Sequence, residues 1–154
     1  MPFDNPFGIR LWCDWILRKK KIVSAGDCPM ADVLVIDDDP TVLLVLAGMI
    51  KKAGHTVRTA RTGAEGLQLF REQKPHLLIT DIIMPEKDGM EIIAEIRRSA
   101  RDVKIIAISG GADFIPDHYL DTAQLFGADR ILKKPFNLEE LTTMIDGLLT
   151  QQGF

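Results

Sequence analysis

Five short apolar runs, each followed by a segment of helical periodicity, dominate the chain from residue 32 onward. The runs fall at 32–36, 56–60, 76–80, 103–108 and 129–132, and the helical segments at about 40–53, 63–73, 89–99, 116–126 and 137–149. This alternation predicts a doubly wound α/β fold, a five-stranded parallel sheet covered by helices on both faces, because parallel neighbours need a crossover between them. Ile105-Ile106-Ala107-Ile108 is apolar at every position, as expected of a strand buried on both sides. Asp39-Pro40 reads as a helix start, and Gly54 and Gly127 as left-handed caps after helix ends. The first helix is assigned the core stripe Val42, Val45, Leu46, Met49 and Ile50. The last is assigned Leu138, Leu141, Ile145, Leu148 and Leu149.

In such a sheet, ligands bind outside the carboxyl ends of the strands. The first run ends in Asp37-Asp38-Asp39, the third in Thr80-Asp81, the fourth in Ser109 with Gly110-Gly111 behind it, and the fifth in Lys133-Lys134-Pro135. Taken singly, each has a plain reading as a cap, a turn or a solvated face. Together they place carboxylates, a hydroxyl and an ammonium on one rim. Two carboxylates about 5 Å apart repel by roughly 3 kcal/mol at an effective dielectric near 20. Asp37, Asp38 and Asp81 therefore call for a cation. An all-oxygen donor set suits Mg²⁺, which takes one or two carboxylates plus water and phosphate oxygens. With a lysine on the other side, the rim suits a transferring phosphoryl group, and an aspartate can be its nucleophile.

The chain has 154 residues and a formal net charge of -3, which fits one domain and gives no basic surplus for nucleic acid. No apolar run approaches the roughly 20 residues of a membrane span. The cluster Arg18–Lys21 follows the apolar stretch of the N-terminus, the reverse of a signal peptide. A cytoplasmic protein is expected. Residues 1–29 read as an extension outside the domain of residues 30–154. They hold both tryptophans and both cysteines, Cys13 and Cys28. The extension is read as disordered or as the product of a start codon assigned too early. An amphipathic anchor built on Ile9, Leu11, Trp12, Trp15 and Ile16, or a partner-binding peptide, are the alternatives.

The pattern over about residues 31–151 resembles the receiver domain of bacterial response regulators, the phosphoacceptor half of two-component systems. The acidic pair, the run Thr80-Asp-Ile-Ile-Met-Pro-Glu-Lys-Asp-Gly89, Ser109 and Lys134-Pro135-Phe136 carry the resemblance. It implies a flavodoxin-like sheet of order 2-1-3-4-5. It implies Asp81 as phosphoacceptor, and Mg²⁺ held by Asp38 directly, Asp37 through water, Asp81 and the Ile83 carbonyl. Lys134 would pair with the phosphoryl oxygens beside a cis bond at Pro135, and Ser109 would report the phosphoryl group. The donor would be a histidine kinase or a histidine phosphotransfer protein. His55, His76 and His118 lie away from the motifs and are not read as phosphodonors.

The resemblance has departures. Its usual inward-turning aromatic on strand five is Ile131 here, so the rearrangement is expected in Gly110-Gly111 and beyond, with Phe114 or Tyr119. Ile83 offers no hydrogen bond to a hydrolytic water, which implies slow self-dephosphorylation. Beyond self-phosphorylation and that slow loss, no enzymatic activity is expected. Leu43, Leu44 and Ala47 are expected to add an apolar docking face for a histidine-bearing helix. No output domain is seen, so a stand-alone receiver acting on an unknown downstream protein, without direct nucleic-acid contact, is expected. Two rivals remain. Asp37-Asp38-Asp39-Pro40-Thr41 also fits the Asp-x-Asp-x-Thr signature of haloacid dehalogenase-like phosphatases, although Glu139-Glu140 is poorly placed to be their acidic pair. A phosphate-independent interaction module is the other.

Overall fold

The computed structural model describes residues 30–85, 88–110, 124 and 126–150. The strands are β1 (Asp32–Ile36), β2 (Thr56–Ala60), β3 (Leu77–Asp81), β4 (Lys104–Ser109) and β5 (Arg130–Lys133). The described helices are α1 (Pro40–Lys52), α2 (Gly63–Glu72), α3 (Gly89–Ser99) and α4 (Leu138–Thr150). The sheet order is β2-β1-β3-β4-β5 and every pairing is parallel. The helix expected at 116–126, with Phe114, His118 and Tyr119, lies almost wholly outside the described residues.

Apolar strands serve two cores at once. Leu34, Ile36 and Leu78 face a layer with Leu67, Phe70, Ile93 and Ile96 of α2 and α3. Val33, Val35, Leu77 and Ile79 face Leu46 and Ile50 of α1 and Leu141, Ile145 and Leu148 of α4. Successive residues point to opposite faces, so the inner strands β1, β3 and β4 are buried almost throughout, whereas the edge strands β2 and β5 are partly exposed.

The helix ends are set locally. Asp39 caps α1, its Oδ1 accepting from the Thr41 N–H at 2.8 Å, with Pro40 in the first turn. At the other end Gly54 has φ +90°; its N–H donates to Lys51 O at 3.0 Å and that of His55 to Ile50 O at 3.2 Å, the paired closure of a left-handed cap. Asn137 and Glu140 cap α4 reciprocally, each side chain accepting from the other's N–H at 2.9 and 3.0 Å.

Two expectations are corrected. The inner face of α1 is Leu43, Leu46 and Ile50, with Val42 and Met49 partly buried, whereas Val45 faces outward. No polar residue lies between Thr41 and Lys51. Periodicity therefore had no polar face from which to set the phase of the helix. Secondly, β3, β4 and β5 each run one residue further than their apolar runs, because ladder bonds such as Ile82 N–H to Ile108 O, at 3.0 Å, carry the pairing onto the polar rim.

His55 and His76 sit at the start of β1, the end opposite the rim. Their Nδ1 atoms accept from the N–H groups of Ala31 and Asp32 at 3.3 and 2.9 Å. His55 is buried, and burial pushes its pKa below the ordinary 6.5. The folded state then binds this proton less tightly than the unfolded one. Stability from this group is complete above the unfolded pKa and falls as pH drops through about 6.5. The urea midpoint is expected to decline between pH 7.5 and 5.5, and His55→Gln to flatten that decline; an unchanged slope would refute the assignment.

Candidate phosphoacceptor site

The acidic run after β1 divides its labour. The Asp37 N–H donates to Ala60 O at 3.1 Å, extending the β1–β2 pairing by one residue. Its side chain is almost completely buried, and its Oδ1 accepts from the Asp39 N–H at 2.9 Å. That turn sends Asp39 outward to cap α1 and leaves Asp38 exposed at the rim. Asp81, the last residue of β3, is 6% exposed, and its Oδ1 accepts from the Ile83 N–H at 3.2 Å. Carboxylate oxygens of Asp37, Asp38 and Asp81 all lie within 4.8 Å of one another.

Lys134 comes from the fifth strand end. Its N–H donates to Ser109 O at 3.0 Å, and the Lys134–Pro135 bond is cis. Its Nζ lies 3.4 Å from Asp37 Oδ2 and 3.5 Å from Asp81 Oδ2. Burial pulls the lysine's pKa down, but the Asp81 and Asp37 charges outweigh it and hold the ammonium above its usual value. Burial raises the Asp81 pKa; the nearby Asp37 charge adds to this, and Lys134 and the Ile83 N–H oppose it. One ammonium therefore does not fully compensate the acidic cluster, and the oxygen-only donor set fits a hard divalent cation.

Ser109 ends β4, buried, in register with Lys133 and one residue beyond the partner of Asp81. Ile83 is 56% exposed beside Asp81. Ile131 is half-buried and packs against the α2–α3 core layer. Leu43 is corrected as a docking residue: it is 6% exposed and belongs to the α1–α4 core. Leu44 is 74% exposed and Ala47 half-buried.

Sequence reasoning missed two residues that position Asp81. Thr80 is buried and its Oγ1 donates to the Asp81 carbonyl at 3.1 Å. Gly89, read only as part of a turn, presses its Cα against that same carbonyl: a Cβ there would lie 2.0 Å from Asp81 O and 2.8 Å from Ile82 Cα. The Asp88-Gly89 pair was its only signal.

The geometry is that of an acidic cup with a lysine lid, and the family model for the response regulator receiver domain matches residues 33–146. The chain belongs to the response regulator receiver family. Receiver domains are generally signalling modules rather than enzymes. The sensor kinase CckA of Brucella abortus is 31% identical over 138 residues, covering 88% of this chain and 14% of that protein. The transcriptional regulatory protein GlrR of Escherichia coli is 36% identical over 123 residues, 80% of this chain and 27% of its own length. PrrA of Mycobacterium tuberculosis is 36% identical over 121 residues, with 79% and 51% covered. The chain thus spans from about a seventh to about half of these relatives. A receiver domain protein from Clostridium thermocellum superposes with TM-score 0.72 at 31% identity, covering 80% of this chain and 97% of that one. A CheY-like receiver from Methanospirillum hungatei gives 0.74 at 26% identity, with 80% and 96% covered. Both have the receiver fold found here. No described helix is long and apolar enough to cross a membrane.

Proposed function

We propose that this receiver accepts a phosphoryl group on Asp81 from a phosphohistidine of a kinase or phosphotransfer protein, in a Mg²⁺-dependent step, and changes its contacts with a downstream protein as a result. The observation that carries this reading is the convergence of three carboxylates within 4.8 Å, with Lys134 Nζ at 3.4 and 3.5 Å from two of them.

The roles follow from the chemistry. Asp81 Oδ1 is held by the Ile83 N–H, which leaves Oδ2, beside Lys134, to attack phosphorus. An O–P bond forms, the P–N bond to the donor histidine breaks, and the imidazole departs with a proton from solvent. Asp38 and Asp81, backed by Asp37 and the Ile83 carbonyl, would hold Mg²⁺. Such an ion would supply positive charge to the phosphoryl oxygens, and Lys134 supplies the protein's own. Buried Ser109, at the neighbouring strand end, would be the hydroxyl that answers the new oxygens.

The phosphatase reading needs Asp39 beside Asp37 as a working acid, yet Asp39 is engaged in capping α1 and Glu139-Glu140 lie in the first turn of α4. Incubating the full chain with acetyl phosphate and Mg²⁺, followed by intact mass, separates the readings. A single phosphoryl adduct, lost when the metal is chelated, supports the receiver reading. No adduct, or sustained turnover of a small phosphate ester, overturns it.

Ile83 sets the lifetime of that adduct. Its side chain, exposed and without a polar atom, cannot align water on the phosphorus. Ile83→Asn is expected to speed dephosphorylation several-fold at unchanged labelling stoichiometry; an unaltered decay would refute this.

A further inference from the structure

Helix α1 packs on β1, β2 and α4, and among the described residues its outward face is bare. Beyond Pro40 the exposed positions are Thr41, Leu44, Val45, Gly48, Lys51 and Lys52, which fall on one side of the helix. A surface helix ordinarily carries charge there. Here Leu44 and Val45 are 74% and 47% exposed, and no residue between Thr41 and Lys51 is polar. Gly48 stands in mid-helix, where glycine costs about 1 kcal/mol relative to alanine. No neighbour in the fold requires it: a Cβ there would meet nothing within 4 Å. The face is an apolar shelf with a notch that another helix can approach closely.

The two ends of this face carry opposite charge. Exposed Asp38 and Asp39 stand before the helix, and exposed Lys51 and Lys52 lie in its last turn. A face with acid at one end, base at the other and apolar residues between becomes its own complement when turned end over end. We propose that two copies of this chain associate through α1, packed antiparallel about a two-fold axis beside Val45. In such an isologous contact residue i meets j and j meets i. Asp38 and Asp39 lie seven and six residues before Val45, and Lys52 and Lys51 lie seven and six after it. Both acids of one copy therefore stand opposite both lysines of the other, at each end of the contact. Val45 meets its own counterpart, and Leu44 reaches the space over the partner's Gly48. Charge complementarity selects this occupant, because one partner of the same sequence satisfies both ends at once. It also selects the orientation, since a parallel pair would set acid against acid. A single pair of helices is a small interface, under about 1,200 Å² in total, so the association is weak and reversible.

Sedimentation equilibrium of the full chain, from low micromolar to millimolar protein, should show the average mass rising from 17.2 kDa towards twice that value. High salt should weaken the association several-fold, because exposed charges hold both ends. Leu44→Glu should abolish it. Lys51→Glu combined with Lys52→Glu should do the same, by setting acid against Asp38 and Asp39. Gly48→Gln fills the notch with a better helix former. That variant should melt higher than wild type and yet stay monomeric, which separates loss of the contact from loss of the fold. In a chain carrying Cys13→Ser and Cys28→Ser, Val45→Cys should cross-link to its counterpart under mild oxidation, whereas Thr41→Cys, away from the axis, should not. A wild type that stays monomeric at millimolar concentration overturns the proposal. So does a dimer that survives Leu44→Glu or Gly48→Gln, or one in which Thr41→Cys cross-links as fast as Val45→Cys.

Discussion

Asp81→Asn is expected to reduce labelling by acetyl phosphate to background and, at neutral pH without Mg²⁺, to make the protein more stable than wild type. The first effect is chemical: an amide has no carboxylate oxygen with which to form an acyl phosphate. The second follows from the site's electrostatics. Burial raises the Asp81 pKa, Asp37 adds to it, and Lys134 and the Ile83 N–H only partly offset them. A carboxylate whose folded-state pKa lies above its unfolded value binds its proton more tightly when folded, so stability declines as pH rises through the folded pKa. The ionised wild type therefore carries a penalty that the amide lacks. Removing it should be worth about 1 kcal/mol, or about 3 °C in Tm for a domain of this size. The gain should shrink when pH is lowered until Asp81 is protonated, and when Mg²⁺ is added to the wild type. Thermal melts at two pH values, with and without Mg²⁺, check all three. A variant less stable than wild type under every condition would show that Asp81 is held chiefly by its contacts.

Gly89→Ala should be nearly as disruptive, although it adds one methyl group and leaves every ionisable residue in place. The new Cβ would lie 2.0 Å from the Asp81 carbonyl oxygen and 2.8 Å from Ile82 Cα. These are backbone atoms fixed on both sides: Ile82 accepts from the Gly89 N–H at 2.9 Å, and its own N–H donates to Ile108 at 3.0 Å. Either α3 withdraws, loosening the buried Met90, Ile92 and Ile93, or the end of β3 shifts and takes Asp81 with it. A loss of about 3 kcal/mol is expected from such overpacking. Labelling should slow as well, since displacement of a reacting group by about 1 Å can cost on the order of 100-fold. Gly147→Ala is the control. A Cβ there meets nothing within 4 Å, inside α4, so it should stabilise by about 0.5–1 kcal/mol. Equal urea midpoints for the two variants would refute the close-approach argument.

These two positions mark how far a linear reading extends. Asp81, Asp37, Asp38, Ser109 and Lys134 could be picked out because parallel strands deliver whatever follows their carboxyl ends to one edge, and strand ends are visible as the ends of apolar runs. The phase of α1 could not be read, because a segment apolar all round buries any of its faces equally well by pattern alone. Leu43 was accordingly assigned to the surface and Val45 to the core, and the packing reverses both. Gly89 shows the same limit: an Asp-Gly pair announces a turn but not what lies against it.

Spacing along the chain was enough to set the alternation of strands and helices, the two-sided burial of β1, β3 and β4 and the list of polar residues at the rim. Only the tertiary structure decided which of three consecutive aspartates turns inward, that Lys134 approaches Asp37 and Asp81 together, and that Gly89 braces the Asp81 carbonyl. Those relations join residues up to 97 positions apart. Distances of that kind are fixed by the packing of strands and helices against one another, a property of the assembled layers that no local stretch of chain encodes.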